Sequence, residues 1–108
     1  MILVTGGKYQ GKTAFAREHF AGRKIMEAYD ETIAKRLECG MDILEETKKD
    51  LNEYPDSVFI LNEIGGGVTP VDAGERQLRD AVGQAGCFLA GQALEVYRVT
   101  AGLALRLK

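Results

Sequence analysis

The segment Gly6-Gly7-Lys8-Tyr9-Gln10-Gly11-Lys12-Thr13 matches the pattern GxxxxGK[ST] at every fixed position. An apolar run, Met1–Thr5, precedes it and predicts a buried strand, while the apolar spacing over Thr13–Phe20 predicts a helix. In that context the glycines let backbone amides curl around a phosphate, and the helix N-terminus adds its positive dipole. The sequence therefore predicts that all eight residues, Gly6 to Thr13, form a phosphate-binding loop.

Two side chains of this loop carry chemistry. Lys12 is the predicted catalytic cation, which bridges the β- and γ-phosphates of ATP or GTP. The Thr13 hydroxyl is predicted to take one position on Mg²⁺. The alternative is a glycine-rich turn with a solvated lysine. The sequence does not distinguish adenine from guanine.

A second candidate group follows the apolar run Ser57–Leu61, which predicts a strand buried on both faces. Asn62 stands where P-loop proteins usually carry the aspartate that holds Mg²⁺, and Glu63 comes next. We predict Asn62 and Glu63 as metal-binding residues and Glu63 also as the catalytic base. Two alternatives stay open: the pair only opens a loop, or Asp30 supplies the acid.

The rest of the chain alternates strand and helix patterns. The predicted elements are a strand over Lys24–Tyr29, one helix or two joined near Gly40 over Glu31–Glu53, a helix from Pro70 or Asp72 to about Glu95, and a strand over Val96–Ala101. This order predicts an α/β, three-layer, P-loop NTPase-like fold with a small, mainly parallel sheet of about four strands flanked by helices. Residues 1–108 are expected to form a single nucleotide-binding domain. Glycines inside the last helix are expected to pack closely against a neighbour.

Composition narrows the possible partners. With 108 residues, of which 45% are hydrophobic, the chain can bury one core. The segment from Asp30 to Asp56 holds nine acids against four bases, which argues against a nucleic-acid partner. No apolar run could span a membrane and no leader pattern is present, so a cytoplasmic location is expected. Cys39 and Cys87 form no metal motif and are expected to be reduced and at least partly buried.

Four segments resemble one known family. They are Ile2–Thr13, similar to an apolar strand followed by G-G-x-x-S-G-K-S; Asn62–Pro70, similar to N-E-V-G-x-G-I-V-P; Arg76–Gly83, similar to R-x-x-R-D-x-x-G; and Glu95–Lys108, similar to a strand with a G-x-x-x-x-L-K tail. On these residues the chain resembles the bifunctional adenosylcobinamide kinase and adenosylcobinamide-phosphate guanylyltransferase family of cobalamin biosynthesis, shortened in the middle. The resemblance implies a kinase that phosphorylates adenosylcobinamide, and a homo-oligomer.

The middle of the chain departs from that family. Arg36-Leu37-Glu38-Cys39-Gly40 stands where the family has R-I-x-x-H, so Gly40 replaces the histidine that becomes guanylylated. The family's metal-binding aspartate also has no counterpart at a matching place. We therefore expect an enzyme without guanylyltransferase activity. The alternatives are a catalytically degenerate nucleotide-binding or regulatory subunit, and a small oligomeric NTPase.

Overall fold

The structure is a computed structural model, and it describes residues 1–64 and 73–108. Its elements within these ranges are β1 (Ile2–Gly6), α1 (Lys12–His19), β2 (Ile25–Met26), α2 (Tyr29–Glu38), α3 (Ile43–Glu53), β3 (Val58–Asn62), α4 (Ala73–Gln92), β4 (Glu95–Thr100) and β5 (Leu103–Arg106). The strands form one sheet in the order β2-β3-β1-β4-β5. Neighbouring strands are parallel except β4 and β5, which are antiparallel.

Apolar side chains on both faces of the central strands build the three layers. Ile2 and Val4 of β1 pack in a cluster with Ala16 of α1 on one face. Leu3 lies in a second cluster that includes residues of α2, α3 and α4 on the opposite face. Because successive strand residues point to opposite faces, the run of apolar residues in β1 serves both layers. The predicted α/β, mainly parallel fold is confirmed.

Two of the predicted boundaries change. The strand predicted over Lys24–Tyr29 is wrong except at Ile25–Met26, which pair with Val58 and Phe59 of β3. Tyr29 instead begins α2 and is buried. The region predicted as one helix or two forms two, since Gly40 takes the left-handed conformation with φ +71°. Asp42 then caps α3 by accepting a hydrogen bond from the Glu45 amide.

Within residues 1–64 and 73–108 the sheet has one strand more than predicted. After β4 the chain turns at Ala101 and Gly102, which have φ values of +51° and +77°, and returns as β5. Two successive residues with positive φ are typical of a tight hairpin turn. This hairpin places β5 at the edge of the sheet, where all four of its residues are exposed.

The last helix differs from its prediction in two ways. The predicted starts, Pro70 and Asp72, lie outside the described residues, and the helix ends at Gln92 rather than near Glu95. A Cβ on Gly86 would lie 3.1 Å from the Leu61 side chain, but Gly83 and Gly91 face open space. The expected close packing is therefore wrong at those two glycines.

Cys39 and Cys87 are both exposed, so their predicted burial is also wrong. None of the helices in residues 1–64 and 73–108 is long and apolar enough to cross a membrane.

Candidate phosphate-binding site

The predicted loop lies where the central strand meets the first helix. β1 ends at Gly6, and Gly11 precedes α1 in a left-handed conformation with φ +94°. Gly6 has φ +145°, and a Cβ there would lie 2.4 Å from the Val99 carbonyl oxygen of β4. Only glycine fits this close approach of β4 to the start of the loop. The N-terminus of α1, with its free amides and positive dipole, faces the loop.

Lys12 is the first residue of α1 and is buried, with 5% of its surface exposed. Its ammonium group donates a hydrogen bond to the Gly7 carbonyl oxygen, so the side chain folds back into the loop. Burial lowers the pKa of Lys12, while the nearby charges of Asp30 and Glu63 act in the opposite direction. The loop therefore holds a cation that two carboxylates attract.

The hairpin between β4 and β5 supports the loop from the other side. The Gln10 side-chain oxygen accepts a hydrogen bond of 2.7 Å from the Ala101 amide. The Gln10 backbone carbonyl oxygen accepts a second hydrogen bond, of 2.8 Å, from the Gly102 amide. The Lys8 and Tyr9 side chains are exposed, Tyr9 at 98%. The eight predicted loop residues thus run from the last residue of β1, through a turn, into the first residues of α1. Two hydrogen bonds to Gln10 hold this turn against the hairpin.

The end of β3 lies beside the start of this loop. Asn62 is in register with Gly6, and the Glu63 amide donates a hydrogen bond of 2.9 Å to the Gly6 carbonyl oxygen. Both Glu63 carboxylate oxygens contact Arg98 of β4, Oε1 at 3.0 Å from Nε and Oε2 at 3.1 Å from Nη2. Glu63 is therefore oriented toward β4 by an exposed ion pair.

Asp30, which the sequence left as an alternative acid, joins the same edge of the sheet. It lies in the first turn of α2 and has 4% of its surface exposed. Its Oδ1 accepts hydrogen bonds from the Asn62 backbone amide at 3.2 Å and from the Asn62 side-chain amide at 3.0 Å. The sequence signal for Asp30 is its place just after a strand, because the carboxyl ends of parallel strands meet at one edge.

The oxygen donors at this edge of the sheet are of the kind that Mg²⁺ binds. Mg²⁺ prefers oxygen ligands, and in nucleotide sites it uses one or two carboxylates together with phosphates and water. Thr13, Asn62, Glu63 and Asp30 lie on elements that converge at this edge of the sheet. Among the described residues, no three His, Cys, Asp or Glu side chains are grouped to hold a metal on their own. Oxygen donors are present at this edge, and phosphate and water would have to complete the coordination of a metal ion there.

A cavity of about 420 Å³ adjoins Asn62 and Glu63, between α4 and the sheet. Its lining is largely apolar and also includes Arg79. Sequence reasoning did not predict this cavity. The available signal was Arg79 itself, a charged residue within the segment Arg76–Gly83 that resembles a family motif. The cavity places an open volume beside the predicted catalytic carboxylate.

The only histidine of the chain, His19, lies at the end of α1 opposite the loop. It is exposed, its Nδ1 contacts the Phe15 carbonyl oxygen at 3.2 Å, and its ring lies 4.4 Å from that of Phe15. Gly40 is exposed at the end of α2. The structure brings no histidine to the loop.

A protein-family model matches most of the chain. The family described as cobinamide kinase / cobinamide phosphate guanyltransferase matches residues 21–107, about four fifths of the chain. The match begins after α1, so it does not include the phosphate-binding loop. Comparison with curated proteins finds no match. Both activities in the family description, phosphorylation and guanylyl transfer, consume a nucleoside triphosphate.

Proposed function

Because the chain belongs to the cobinamide kinase / cobinamide phosphate guanyltransferase family, we propose that it is a kinase that transfers the γ-phosphoryl group of ATP or GTP to adenosylcobinamide. The members of this family are described as enzymes, and membership supports a role of this chain in cobalamin biosynthesis. The observation that supports the kinase most is Lys12, a buried cation inside the loop, attracted by Asp30 and Glu63. Phosphoryl transfer depends mainly on such positioning and charge stabilisation.

Each site residue has a proposed part. The loop amides of Gly6 to Thr13 and the α1 dipole bind the phosphates, and Lys12 stabilises the charge that develops on them. Mg²⁺ would be held by Thr13, Asn62 and Glu63, directly or through water. When bound, Mg²⁺ neutralises charge on the β- and γ-phosphate oxygens. Lys8, Tyr9 and Gln10 bind through their backbone amides, since the first two side chains are exposed and the third contacts the hairpin.

Glu63 is the proposed general base. The acceptor hydroxyl oxygen forms a bond to the γ-phosphorus while the bond between that phosphorus and the β–γ bridging oxygen breaks. The hydroxyl proton passes to a Glu63 carboxylate oxygen, and the nucleoside diphosphate leaves. Arg98 orients this carboxylate, and the apolar cavity beside it has room for the part of the acceptor that carries the hydroxyl.

Guanylyltransferase activity is proposed to be absent. The family position of the guanylylated histidine is Gly40, and His19 lies at the far end of α1. A covalent guanylyl intermediate on histidine has no residue to form on near the loop. We propose that the protein acts in the cytoplasm as a homo-oligomer and does not bind nucleic acid.

A catalytically degenerate nucleotide-binding or regulatory subunit is the second candidate. The observation that favours it is Asn62, a neutral amide at the position of the usual metal-binding aspartate. A small oligomeric NTPase would share the loop but need no cobinamide.

One experiment separates these functions. Purified protein is incubated with γ-labelled ATP or GTP and Mg²⁺, with and without cobinamide, while calorimetry measures binding of each nucleotide. Label on cobinamide supports the kinase. Hydrolysis without transfer supports the NTPase, and binding without turnover supports the degenerate subunit.

Lys12→Ala tests the loop in the same assays. It should weaken nucleotide binding by roughly 100-fold or more, because it removes the buried charge that contacts the phosphates. Lys49→Ala, which removes an exposed lysine of α3, is the matched control and should bind as the unmodified protein does. Equal binding by the Lys12→Ala variant would contradict the proposed site.

A further inference from the structure

The last residue of β3, Asn62, is neutral, whereas a kinase site usually has a metal-binding carboxylate at this position. Asn62 lies in register with Gly6 at the start of the loop, but an amide contributes no negative charge toward a divalent cation. A negative charge nevertheless reaches this position from a different element. Asp30 of α2 accepts hydrogen bonds from the Asn62 backbone amide at 3.2 Å and from the Asn62 side-chain amide at 3.0 Å.

The surroundings of Asp30 stabilise a buried carboxylate. It is 4% exposed, and burial of an ionised carboxylate is costly unless donors or opposite charges compensate. Asn62 supplies two donors, the N-terminus of α2 adds its dipole, and Lys12 lies within electrostatic range. Asn62 and Lys12 both belong to the candidate phosphate-binding site. Both Asn62 bonds fall on Oδ1, so neither uses Oδ2.

We propose that Asp30 supplies the carboxylate that Asn62 lacks: it holds a water of the Mg²⁺ that accompanies the nucleotide, with Asn62 fixing its orientation. This inference rests on the proposed nucleotide site and deepens it. In effect, the function of one aspartate is divided between two residues from neighbouring elements, a charge from α2 and a positioning amide from β3. A purely structural Asp30 would only fasten α2 to β3.

The test measures metal binding rather than turnover. Binding of β,γ-imido ATP and GTP is measured by calorimetry in EDTA and in Mg²⁺, and Mn²⁺ is titrated into the protein–nucleotide complex by electron paramagnetic resonance. Asp30→Asn keeps an acceptor oxygen for Asn62, so the variant should fold. We expect its nucleotide binding in EDTA to remain within about threefold of the unmodified protein, and its metal affinity to fall by roughly 10- to 100-fold.

Two further variants separate charge from structure. The double variant Asp30→Asn with Asn62→Asp moves the carboxylate to the strand end and should recover most of the metal affinity. Asp50→Asn removes another buried carboxylate of the same region, which pairs with Arg36, and should lower stability without changing metal affinity.

The outcomes are distinguishable. If Asp30→Asn binds Mn²⁺ as tightly as the unmodified protein, or if the double variant does not recover affinity, Asp30 is structural and the inference is overturned. A different result would count against the proposed function itself. If the unmodified protein binds neither the ATP analogue nor the GTP analogue under either condition, the proposed function fails and the inference fails with it.

Discussion

Among single residues, Glu63 is the proposed general base, and its exposed ion pair with Arg98 orients the carboxylate. Glu63→Gln keeps the shape and the contact with the Gly6 carbonyl, which uses the backbone amide, but cannot accept the substrate proton. We expect turnover to fall by roughly 100-fold or more, because general-base catalysis contributes about that much. Nucleotide binding in EDTA should stay within about threefold.

Label transfer and calorimetry on the same preparation measure both effects. Glu45→Gln is the matched control, since Glu45 is an exposed glutamate of α3 that forms a surface ion pair with Lys48; it should leave both values unchanged. Unchanged turnover in the Glu63→Gln variant would remove Glu63 from the mechanism.

Two glycines show how the same substitution can have opposite effects. Gly6→Ala would place a Cβ 2.4 Å from the Val99 carbonyl oxygen, at a φ of +145°. We expect the free energy of unfolding to drop by about 2 kcal/mol or more. Gly91→Ala faces open space inside α4 and should raise it by about 0.5 to 1 kcal/mol. Chemical denaturation of both variants measures the difference, and a Gly6→Ala variant as stable as the unmodified protein would contradict the close approach of β4.

At the scale of elements, α2 and α3 are joined by a buried polar network. The Tyr29 hydroxyl donates to Asp50 at 2.7 Å, and Arg36 forms an ion pair of 2.7 Å with the same carboxylate. Burial, together with the nearby Asp50, raises the pKa of Tyr29 to about 12 from its ordinary value of 10.0. The protonated phenol is therefore favoured in the folded state.

Because of this network, we expect the free energy of unfolding to decrease above pH 10. Between pH 10 and 12 the folded state keeps the Tyr29 proton while the unfolded state loses it, so stability falls as pH rises through this window. By pH 11.5 about 2 kcal/mol should be lost relative to Tyr29→Phe, which lacks the titrating group. Urea denaturation of both proteins at pH 8, 10 and 11.5 measures this. Parallel pH profiles would show that Tyr29 does not titrate as stated.

The elements that sequence reasoning predicted are those encoded by local patterns. β1, the loop and α1 follow directly from an apolar run, three glycines and helical spacing. β2 is confined to two residues because Tyr29 turns into the helix to reach Asp50, a partner 21 positions away. β5 was missed because its pairing with β4 depends on the hairpin turn at Ala101 and Gly102. The contact of Asp30 with Asn62 joins residues 32 positions apart, and no local pattern encodes it.

At the scale of the whole molecule, strand order decides where the chemistry lies. β1 is central, with β3 and β4 on its two sides, so the loop at its end receives Glu63 from one neighbour and Arg98 from the other. The sequence predicts parallel strands but not their order, because order depends on which helices can pack on each face. The acidic segment of the sequence contributes α2 and α3, and it brings one of its acids, Asp30, to the loop.

The exposed edge of the sheet is the surface through which we expect the proposed homo-oligomer to form. β5 is an edge strand on which Leu103 and Leu105 are 76% and 64% exposed, and exposed apolar edges favour pairing with another chain. We expect light scattering to give a mass of two or more chains, each of 11.8 kDa. Leu103→Lys combined with Leu105→Lys should reduce it to the monomer, because charged edge residues oppose pairing. Leu94→Lys, at an equally exposed leucine before β4, should leave the assembly intact. A monomeric unmodified protein would contradict the proposed oligomer, and an oligomeric double variant would place its interface elsewhere.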